Sequence, residues 1–298
     1  MSEFTPQPAT RGAAQRAGRS PGQRAGQRAG QRAAPRLVAT DLDGTIVRSD
    51  GTVSARTVAA LSRVERTGAT LVLVTGRPPR WMRDIAEAVA HQGLAICANG
   101  ALVYDLHTEA VVEQHLIPVA ALREAAERLR AVLPELGFAV EYRDGITYES
   151  RYDRIGWDRM ATVGQLADGD AWLDRPCAKL LARHPTANVD ELLTHAVRAV
   201  GDIVTPTHSN GTRLLEMSAL GVSKATTLAR LCARRGVAAA DVVAFGDMPN
   251  DLPMLAWAGR SYAVANAHPD VLAVVALRAA SNDDDGVAHV LEELFQVP

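Results

Sequence analysis

The stretch "RLVATDLDGTIV", residues 36–47, decides the fold. Its apolar start predicts a short buried strand, and two aspartates, Asp41 and Asp43, follow that strand directly. Residues i and i+2 of an extended chain point to the same side, so the two carboxyl groups must lie close together. Carboxylates that crowd in this way repel each other unless a cation lies among them. The stretch therefore predicts a buried strand that ends at a cation-binding site.

The composition indicates a soluble intracellular protein. The chain has 298 residues, 47% of them hydrophobic, and a formal net charge of -2, which suits one large domain or two modest ones. Cys97, Cys177 and Cys232 lie far apart in the sequence, so neither a disulfide framework nor a zinc site is expected and a cytoplasmic location fits. No apolar run approaches the ~20 residues that span a bilayer, and the N-terminus lacks a signal-peptide pattern.

Residues 1–35 differ from the rest of the chain. They contain the repeat "GQRAGQRAGQRAAP" and six arginines against the single acidic residue Glu3, a composition that predicts a disordered basic tail. One interpretation is an arm that contacts nucleic acid or another polyanion, and the other is a low-complexity extension without a function. The remainder of the chain is acidic and only 4% of all residues are aromatic, so nucleic acid is an unlikely partner of the folded part.

Strand-like and helix-like segments alternate after the tail. Apolar runs rich in β-forming residues predict strands at 36–40, 71–75 and 94–98, and the segments between them, 53–67 and 78–91, have helical periodicity. This order predicts right-handed crossovers and a parallel sheet with helices on both faces. The predicted fold class is α/β, with a doubly wound, Rossmann-like core.

The pattern changes near residue 101. "ALVYDL" and "AVVEQHLI" indicate a hairpin, and a helix and further short strands follow up to "DIVTP" at 202–206. We therefore predict an inserted α+β domain at 102–213. The catalytic core would then comprise residues 36–101 and 214–298.

Polar residues follow the predicted core strands. In an open parallel sheet, ligands bind at the carboxyl ends of the strands, so these residues should meet at one crevice. Four carboxylates among them would need a cation, and Mg²⁺ with its oxygen ligands is the natural one. The residues are Asp41, Asp43, Thr75, Gly76, Arg77, Asn99, Gly100, Asp247, Asn250 and Asp251.

Four motifs carry a family resemblance. "DLDGT" at 41–45, "TGR" at 75–77, Lys224 in "GVSKATTL" and "GDMPNDLPML" at 246–255 resemble, in order and spacing, the motifs of the haloacid dehalogenase superfamily. The "NG" at 99–100 and "SNDDDGVAHVL" at 281–291 are similar to its Cof-type phosphatase branch. That branch carries an α/β cap between the second and third motifs, where we place the inserted domain.

The resemblance implies roles for these residues. Asp41 would be the nucleophile that forms an aspartyl-phosphate, and Asp43 would protonate the leaving oxygen and later activate water. Thr75 would bind a phosphate oxygen, and Lys224 would neutralise the transferring group. The expected Mg²⁺ ligands are Asp41, Asp247, the backbone carbonyl of Asp43 and, indirectly, Asp251. The expected substrate-binding residues are Gly44, Arg77, Asn99, Gly100 and Asn250.

Several of these assignments have structural alternatives. Arg77 could pair with a nearby carboxylate instead of substrate, and Asn99 and Asn250 could serve as turn or capping residues. "NDDDG" at 282–286 could be a second metal cluster or a loop with a helix cap. The polar residues of the inserted domain that could select a substrate are Glu141, Arg143, Tyr148, Arg151 and Lys179.

The expected activity is Mg²⁺-dependent hydrolysis of small phosphorylated metabolites, either sugar phosphates or phosphorylated cofactors such as flavin mononucleotide or pyridoxal phosphate. A phosphomutase of the same superfamily is the nearest alternative. A phospho-accepting signalling module is an alternative of another class, although the large insertion and the acid two residues after the nucleophile argue against it. A catalytically silent member whose basic tail binds a partner is a third alternative, and the intact acids at all expected positions argue against it. The sequence leaves the oligomeric state open.

Overall fold

A computed structural model of the protein describes residues 34–91, 93–155, 164–166, 173–209 and 213–296, with backbone alone at 164–166. All but the last two residues of the predicted basic tail lie outside this part of the chain. Within it the three cysteines are buried free thiols. None of the helices described is both long and apolar enough to cross a bilayer.

An eight-stranded sheet, here called the core sheet, has the order β14-β13-β12-β1-β2-β3-β4-β5. The neighbours from β14 to β3 are parallel, while β4 and β5 are antiparallel at one edge. Its strands are β1 (Leu37–Thr40), β2 (Thr70–Val74), β3 (Leu94–Cys97), β4 (Leu102–Asp105), β5 (Ala110–Gln114), β12 (Val242–Gly246), β13 (Arg260–Val264) and β14 (Leu277–Ala279).

The helices of the core follow the parallel strands. The first begins after Ser54, whose hydroxyl accepts a hydrogen bond from the N–H of Thr57, and it buries Leu61 and Val64 in the main hydrophobic core. The core helices are α1 (Ala55–Arg66), α2 (Met82–Val89), α5 (Lys224–Arg234), α6 (Leu252–Trp257), α7 (Pro269–Val274) and α8 (Gly286–Leu294).

A six-stranded sheet, here called the cap sheet, has the order β10-β11-β9-β6-β7-β8 and is antiparallel except for the pair β7–β8. Two helices pack on one of its faces around Phe138 and Leu180. Its strands are β6 (Gly137–Glu141), β7 (Ile146–Tyr148), β8 (Gly164–Leu166), β9 (Lys179–Arg183), β10 (Val204–Thr207) and β11 (Leu214–Ala219), and its helices are α3 (Val119–Val132) and α4 (Val189–Val200).

The two sheets divide the chain differently from the predicted boundaries at 102 and 213. The hairpin of β4 and β5 belongs to the core sheet because β4 pairs with β3 along its whole length, with Leu102 opposite Cys97. At the other end, β11 belongs to the cap sheet because it lies between β9 and β10. The predicted class, a parallel α/β core with an additional antiparallel unit, is confirmed, but the sheets change after residues 114 and 219.

Candidate active site

Four of the predicted residues meet in the interior at the carboxyl ends of β1 and β12. Asp41 follows β1, and Asp247 and Asp251 follow β12; oxygen atoms of these three carboxylates all lie within 4.8 Å of one another. The Nζ of Lys224 donates hydrogen bonds to Oδ1 of Asp41 at 2.5 Å and to Oδ1 of Asp251 at 2.7 Å. All four side chains are buried. Asp41 and Lys224, 183 positions apart in the chain, thus belong to one charged cluster.

Lys224 stands at the first position of α5, where a positive charge opposes the helix macrodipole. Ser223 and Thr226 form a capping box that satisfies the backbone donors at this helix start. Burial alone would lower the pKa of Lys224, but Asp251 and Asp41 outweigh it and raise the pKa above its usual value. The two acids therefore compensate for the unfavourable position and keep the ammonium charged.

The cluster contains more carboxyl groups than one ammonium can balance. Burial raises the pKa of Asp41 to about 7 although Lys224 opposes the rise. Burial also raises the pKa of Asp247 to about 9, and the charges of Asp41 and Asp251 add to the effect. The donor atoms are all carboxylate oxygens, which suit a hard divalent cation. The residues therefore fit a hard divalent cation, which would replace protons on these acids.

Asp251 has a second set of contacts that explains its burial. Its Oδ2 accepts hydrogen bonds from the backbone N–H groups of Asp247 and Met248, both at 3.1 Å. With Oδ1 bonded to Lys224, both of its oxygens already have partners in the protein. These contacts favour a role in which Asp251 orients Asp247 and Lys224 over direct binding of a cation.

The loop after β1 presses against Asp247. The hydroxyl of Thr45 donates to Oδ1 of Asp247 at 3.1 Å, and the side-chain amide of Asn266 donates to the carbonyl oxygen of Gly44 at 2.8 Å. A Cβ atom on Gly44, whose φ is +77°, would lie 2.3 Å from Oδ2 of Asp247. Glycine is required here by the left-handed backbone and by the approach of a proposed metal ligand. The role of Thr45 was missed because its partner lies 202 residues away.

This packing predicts that Gly44→Ala lowers the affinity for Mg²⁺ by about tenfold or more, since small displacements of metal-orienting groups have effects of this size. Titration with Mg²⁺, followed by thermal unfolding, measures it. Gly51→Ala is the matched control because Gly51 has φ +84° but nothing within 4 Å of a built Cβ. Both variants introduce backbone strain, so an equal change in both would contradict the specific role of Gly44.

Asp43 lies apart from the buried cluster. Its carboxylate forms a two-pronged ion pair with Arg77, at 2.8 Å from Nε and 2.5 Å from a terminal nitrogen, and its side chain is 52% exposed. The backbone N–H of Arg77 in turn donates to the hydroxyl of Thr75, which is fully buried at the end of β2. The alternative in which Arg77 pairs with a carboxylate is therefore the one observed. The predicted contacts of Asp43 and Thr75 with metal and phosphate stay predictions.

Three predicted substrate-binding residues, Asn99, Gly100 and Asn250, pack between the other loops of the site. The side-chain amide of Asn250 donates to Oδ1 of Asn99 at 3.1 Å, and both residues are buried. Gly100 has φ +102° and lies so close to α5 that a Cβ would meet the carbonyl oxygen of Ser223 at 2.3 Å. Gly100 therefore positions the helix that carries Lys224. Asn250 lines a cavity that adjoins the charged cluster.

A cavity of about 310 Å³ lies between the buried cluster and the cap sheet. Loops that follow the core strands and strands of the cap sheet line it, and two contacts join these two sides. Arg80, after β2, forms a two-pronged ion pair with Glu141 of β6, and the Nζ of Lys179 of β9 donates to the carbonyl oxygen of Gly76 at 2.9 Å. Its volume suits a small-molecule ligand. The part played by Arg80 was not predicted, because its partner is 61 residues away in the cap sheet.

A model of the haloacid dehalogenase-like hydrolase family matches residues 38–291. The chain belongs to this family. The chain is 26% identical over 280 residues to the 5-amino-6-(5-phospho-D-ribitylamino)uracil phosphatase of Bacillus subtilis. This match covers 88% of this chain and 98% of the relative. It is 26% identical over 270 residues to the pyridoxal phosphate phosphatase of Escherichia coli, covering 86% and 97%.

The fold agrees with solved structures. The crystal structure of SMU.1108c from Streptococcus mutans superimposes with a TM-score of 0.78 at 22% identity, covering 89% of this chain and all of that one. The predicted membership of the haloacid dehalogenase superfamily, in its Cof-type phosphatase branch, is thereby confirmed. The protein is an enzyme of the phosphatase class, and the signalling-module alternative is set aside.

Proposed function

We propose that the protein is a Mg²⁺-dependent phosphatase that hydrolyses small phosphorylated metabolites through an aspartyl-phosphate on Asp41. The observation that carries the proposal is the buried cluster of Asp41, Lys224 and Asp247 at one end of a cavity of about 310 Å³. An anionic ester resists attack by an anionic nucleophile unless positive charge screens both. A lysine within hydrogen-bond distance of the nucleophile provides part of that charge.

In the first step a carboxylate oxygen of Asp41 attacks phosphorus, the ester P–O bond breaks, and Asp43 gives its proton to the leaving oxygen. In the second step Asp43 takes a proton from a water molecule, and the water oxygen attacks phosphorus. The bond between phosphorus and the Asp41 oxygen breaks, which releases phosphate and restores the carboxylate of Asp41. Arg77 holds Asp43 at the cavity wall, and Lys224 stabilises negative charge beside Asp41. Bound by Asp41, Asp247 and the backbone carbonyl of Asp43, Mg²⁺ would supply further screening of the phosphate charge.

The size of the cavity and the names of the relatives support the proposed substrate class. A phosphorylated ribitylaminouracil and pyridoxal phosphate, the compounds in the names of the two relatives, are small metabolites with one phosphate ester. We expect this chain to act on compounds of that size, either phosphorylated cofactors and their precursors or sugar phosphates. The cytoplasmic location stays a prediction from the cysteine content.

The test is the release of inorganic phosphate from a panel of phosphate monoesters, with Mg²⁺ and with a chelator. Release that requires Mg²⁺ supports the proposal. Conversion of a sugar phosphate to its isomer without release of phosphate would instead support a phosphomutase. The absence of both activities across the panel would overturn the proposed function.

The raised pKa values of Asp41 and Asp247 predict how Mg²⁺ affects stability. The folded protein holds protons on these acids that the unfolded chain has lost above its ordinary value of 3.8. Without metal, stability therefore falls as the pH rises from about 4 towards 9. Mg²⁺ competes with fewer protons at higher pH, so it should raise the melting temperature more at pH 8 than at pH 6. At saturating Mg²⁺ the rise at pH 8 should exceed the rise at pH 6 by about 3–8 °C.

Differential scanning fluorimetry with and without Mg²⁺ at the two pH values measures this effect. Asp247→Asn, which removes the acid with the higher pKa of the two, should show little Mg²⁺-dependent shift at either pH. A wild-type shift of equal size at pH 6 and pH 8 would contradict the proton–metal competition.

A further inference from the structure

A second buried ion pair lies on the cap side of the cavity. Lys179 of β9 and Glu216 of β11 are 5% and 3% exposed, and both line the cavity. The Nζ of Lys179 donates to Oε1 of Glu216 at 2.5 Å as well as to the carbonyl oxygen of Gly76. The sequence contains only two lysines, Lys179 and Lys224, and both border this cavity. The pair is therefore part of the cavity wall and is fixed to the loop that follows β2.

Glu216 has one oxygen whose bonding capacity is unused. Burial would raise the pKa of Glu216, but Lys179 more than offsets it and holds the pKa below its usual value, so the carboxylate is ionised. Oε1 accepts from Lys179, and the side chains of Ser209 and Asn99 lie near the carboxylate, but buried Oε2 makes no hydrogen bond within 3.5 Å among the described residues. A buried charged acceptor without a partner is costly, which makes a donor supplied by a ligand the natural complement.

Towards the start of β11 the positions next to Glu216 on the same face of the cap sheet are apolar, whereas polar Ser218 lies two residues in the other direction. Leu181 lies directly opposite Glu216 in the β9–β11 pairing, and Leu214 precedes Glu216 by two residues and so shares its face. Both leucines line the cavity and belong to a small hydrophobic cluster with Ile146 and Tyr152. A ligand that reaches Glu216 would therefore place its further atoms against an apolar floor.

We propose that Glu216 is a specificity-determining residue that accepts a hydrogen bond from a hydroxyl or N–H group of the leaving alcohol, while Leu181 and Leu214 pack against an apolar or aromatic part beyond it. The proposal rests on the proposed phosphatase function and narrows its substrate class. The preferred substrates are monoesters with a hydrogen-bond donor near the ester oxygen and a ring or apolar body farther away. A simple sugar phosphate would place hydroxyl groups against the leucines.

Three esters that differ in one group test the donor. They are 2-hydroxy-2-phenylethyl phosphate, its 2-methoxy analogue and 2-phenylethyl phosphate, compared by kcat/KM and as competitive inhibitors of p-nitrophenyl phosphate hydrolysis. We expect the hydroxyl compound to exceed each of the others by about tenfold to a hundredfold, the usual effect of a hydrogen bond to a charged group. Equal values for the three would overturn the role of Glu216. Failure of the proposed function is distinct, since p-nitrophenyl phosphate would then also release no phosphate.

Replacing the acceptor tests the residue itself. In Glu216→Gln the amide oxygen stays on Lys179 and the NH₂ group takes the place of Oε2, so the hydroxyl-to-methoxy ratio should fall by about tenfold or invert. Glu127→Gln, at an exposed position of α3, should keep the wild-type ratio. An unchanged ratio in Glu216→Gln would overturn the proposal, and if that variant does not fold, the wild-type comparison still decides it. Replacing the phenyl group of the hydroxyl ester by methyl should lower kcat/KM. An equal kcat/KM would overturn the proposed packing of the substrate against Leu181 and Leu214.

Discussion

Asp41→Asn should lower kcat for phosphate release by at least about 10⁴-fold, because an amide cannot form the phosphorylated intermediate. We expect the fold to survive. Asparagine has nearly the same shape, and its oxygen can still accept from Lys224. Burial raises the pKa of Asp41 to about 7, which means that the fold disfavours its negative charge; removing the charge should leave the melting temperature unchanged or higher.

The measurement combines steady-state phosphate release with thermal unfolding of the same preparation. Asp270→Asn is the matched control, since Asp270 lies at the start of α7 with its side chain 69% exposed and should keep wild-type values. Acid quenching of wild-type turnover, followed by mass spectrometry, should find a phosphoryl group on the peptide that contains Asp41. Phosphate release by Asp41→Asn within about tenfold of wild type would refute the nucleophile assignment.

The strand ends of the site could be predicted because a local pattern and a general rule suffice there. Each apolar run is short and followed at once by polar residues, and parallel strands bring their carboxyl ends to one edge. Lys224, at the start of a helix, came from the family resemblance, whereas the strand-end reasoning placed Asp41, Asp247 and Asp251 at one crevice, where the structure has them. The strand-end reasoning needed no knowledge of how the sheets are ordered.

The cap side of the site could not be predicted in the same way. Glu216 lies in "LLEMSA", where the sequence shows only one polar residue in a predicted strand. Its partner Lys179 is brought to it by the pairing of β9 with β11. Pairing is set by packing between distant segments and has no local signal. The same reason explains the hairpin of β4 and β5, whose turn is visible in the sequence but whose partner strand β3 is not. Residues that depend on strand pairing are thus the ones that sequence reasoning misses or misplaces.

Lys224→Met should have the largest effect on stability. Methionine fills a similar volume, but Asp41, Asp247 and Asp251 then lie buried together without the ammonium that bonds two of them at 2.5 and 2.7 Å. Removing one partner of a buried ion pair costs about 3–5 kcal/mol, and we expect a loss of this size near pH 7.5. Turnover should fall at least about 10²-fold, since a charge beside the reacting group is lost.

Urea unfolding at pH 5.5 and pH 8 measures the loss, which should be smaller at the lower pH because protonation of the acids limits the repulsion. Arg230→Met, at an exposed position of the same helix α5, is the control and should change stability little at either pH. A loss that is equal at the two pH values would show that Lys224 contributes packing rather than charge.

A double-mutant cycle with Asp41→Asn separates the two explanations further. If the loss in Lys224→Met arises from uncompensated carboxylates, then removing one of them should restore part of it, with a coupling energy of about 1–3 kcal/mol between the two positions. If the loss arises from packing, the two effects should add. Additive effects would leave the charge balance of the cluster unsupported, and with it the physical reason for placing a cation among Asp41, Asp247 and Asp251.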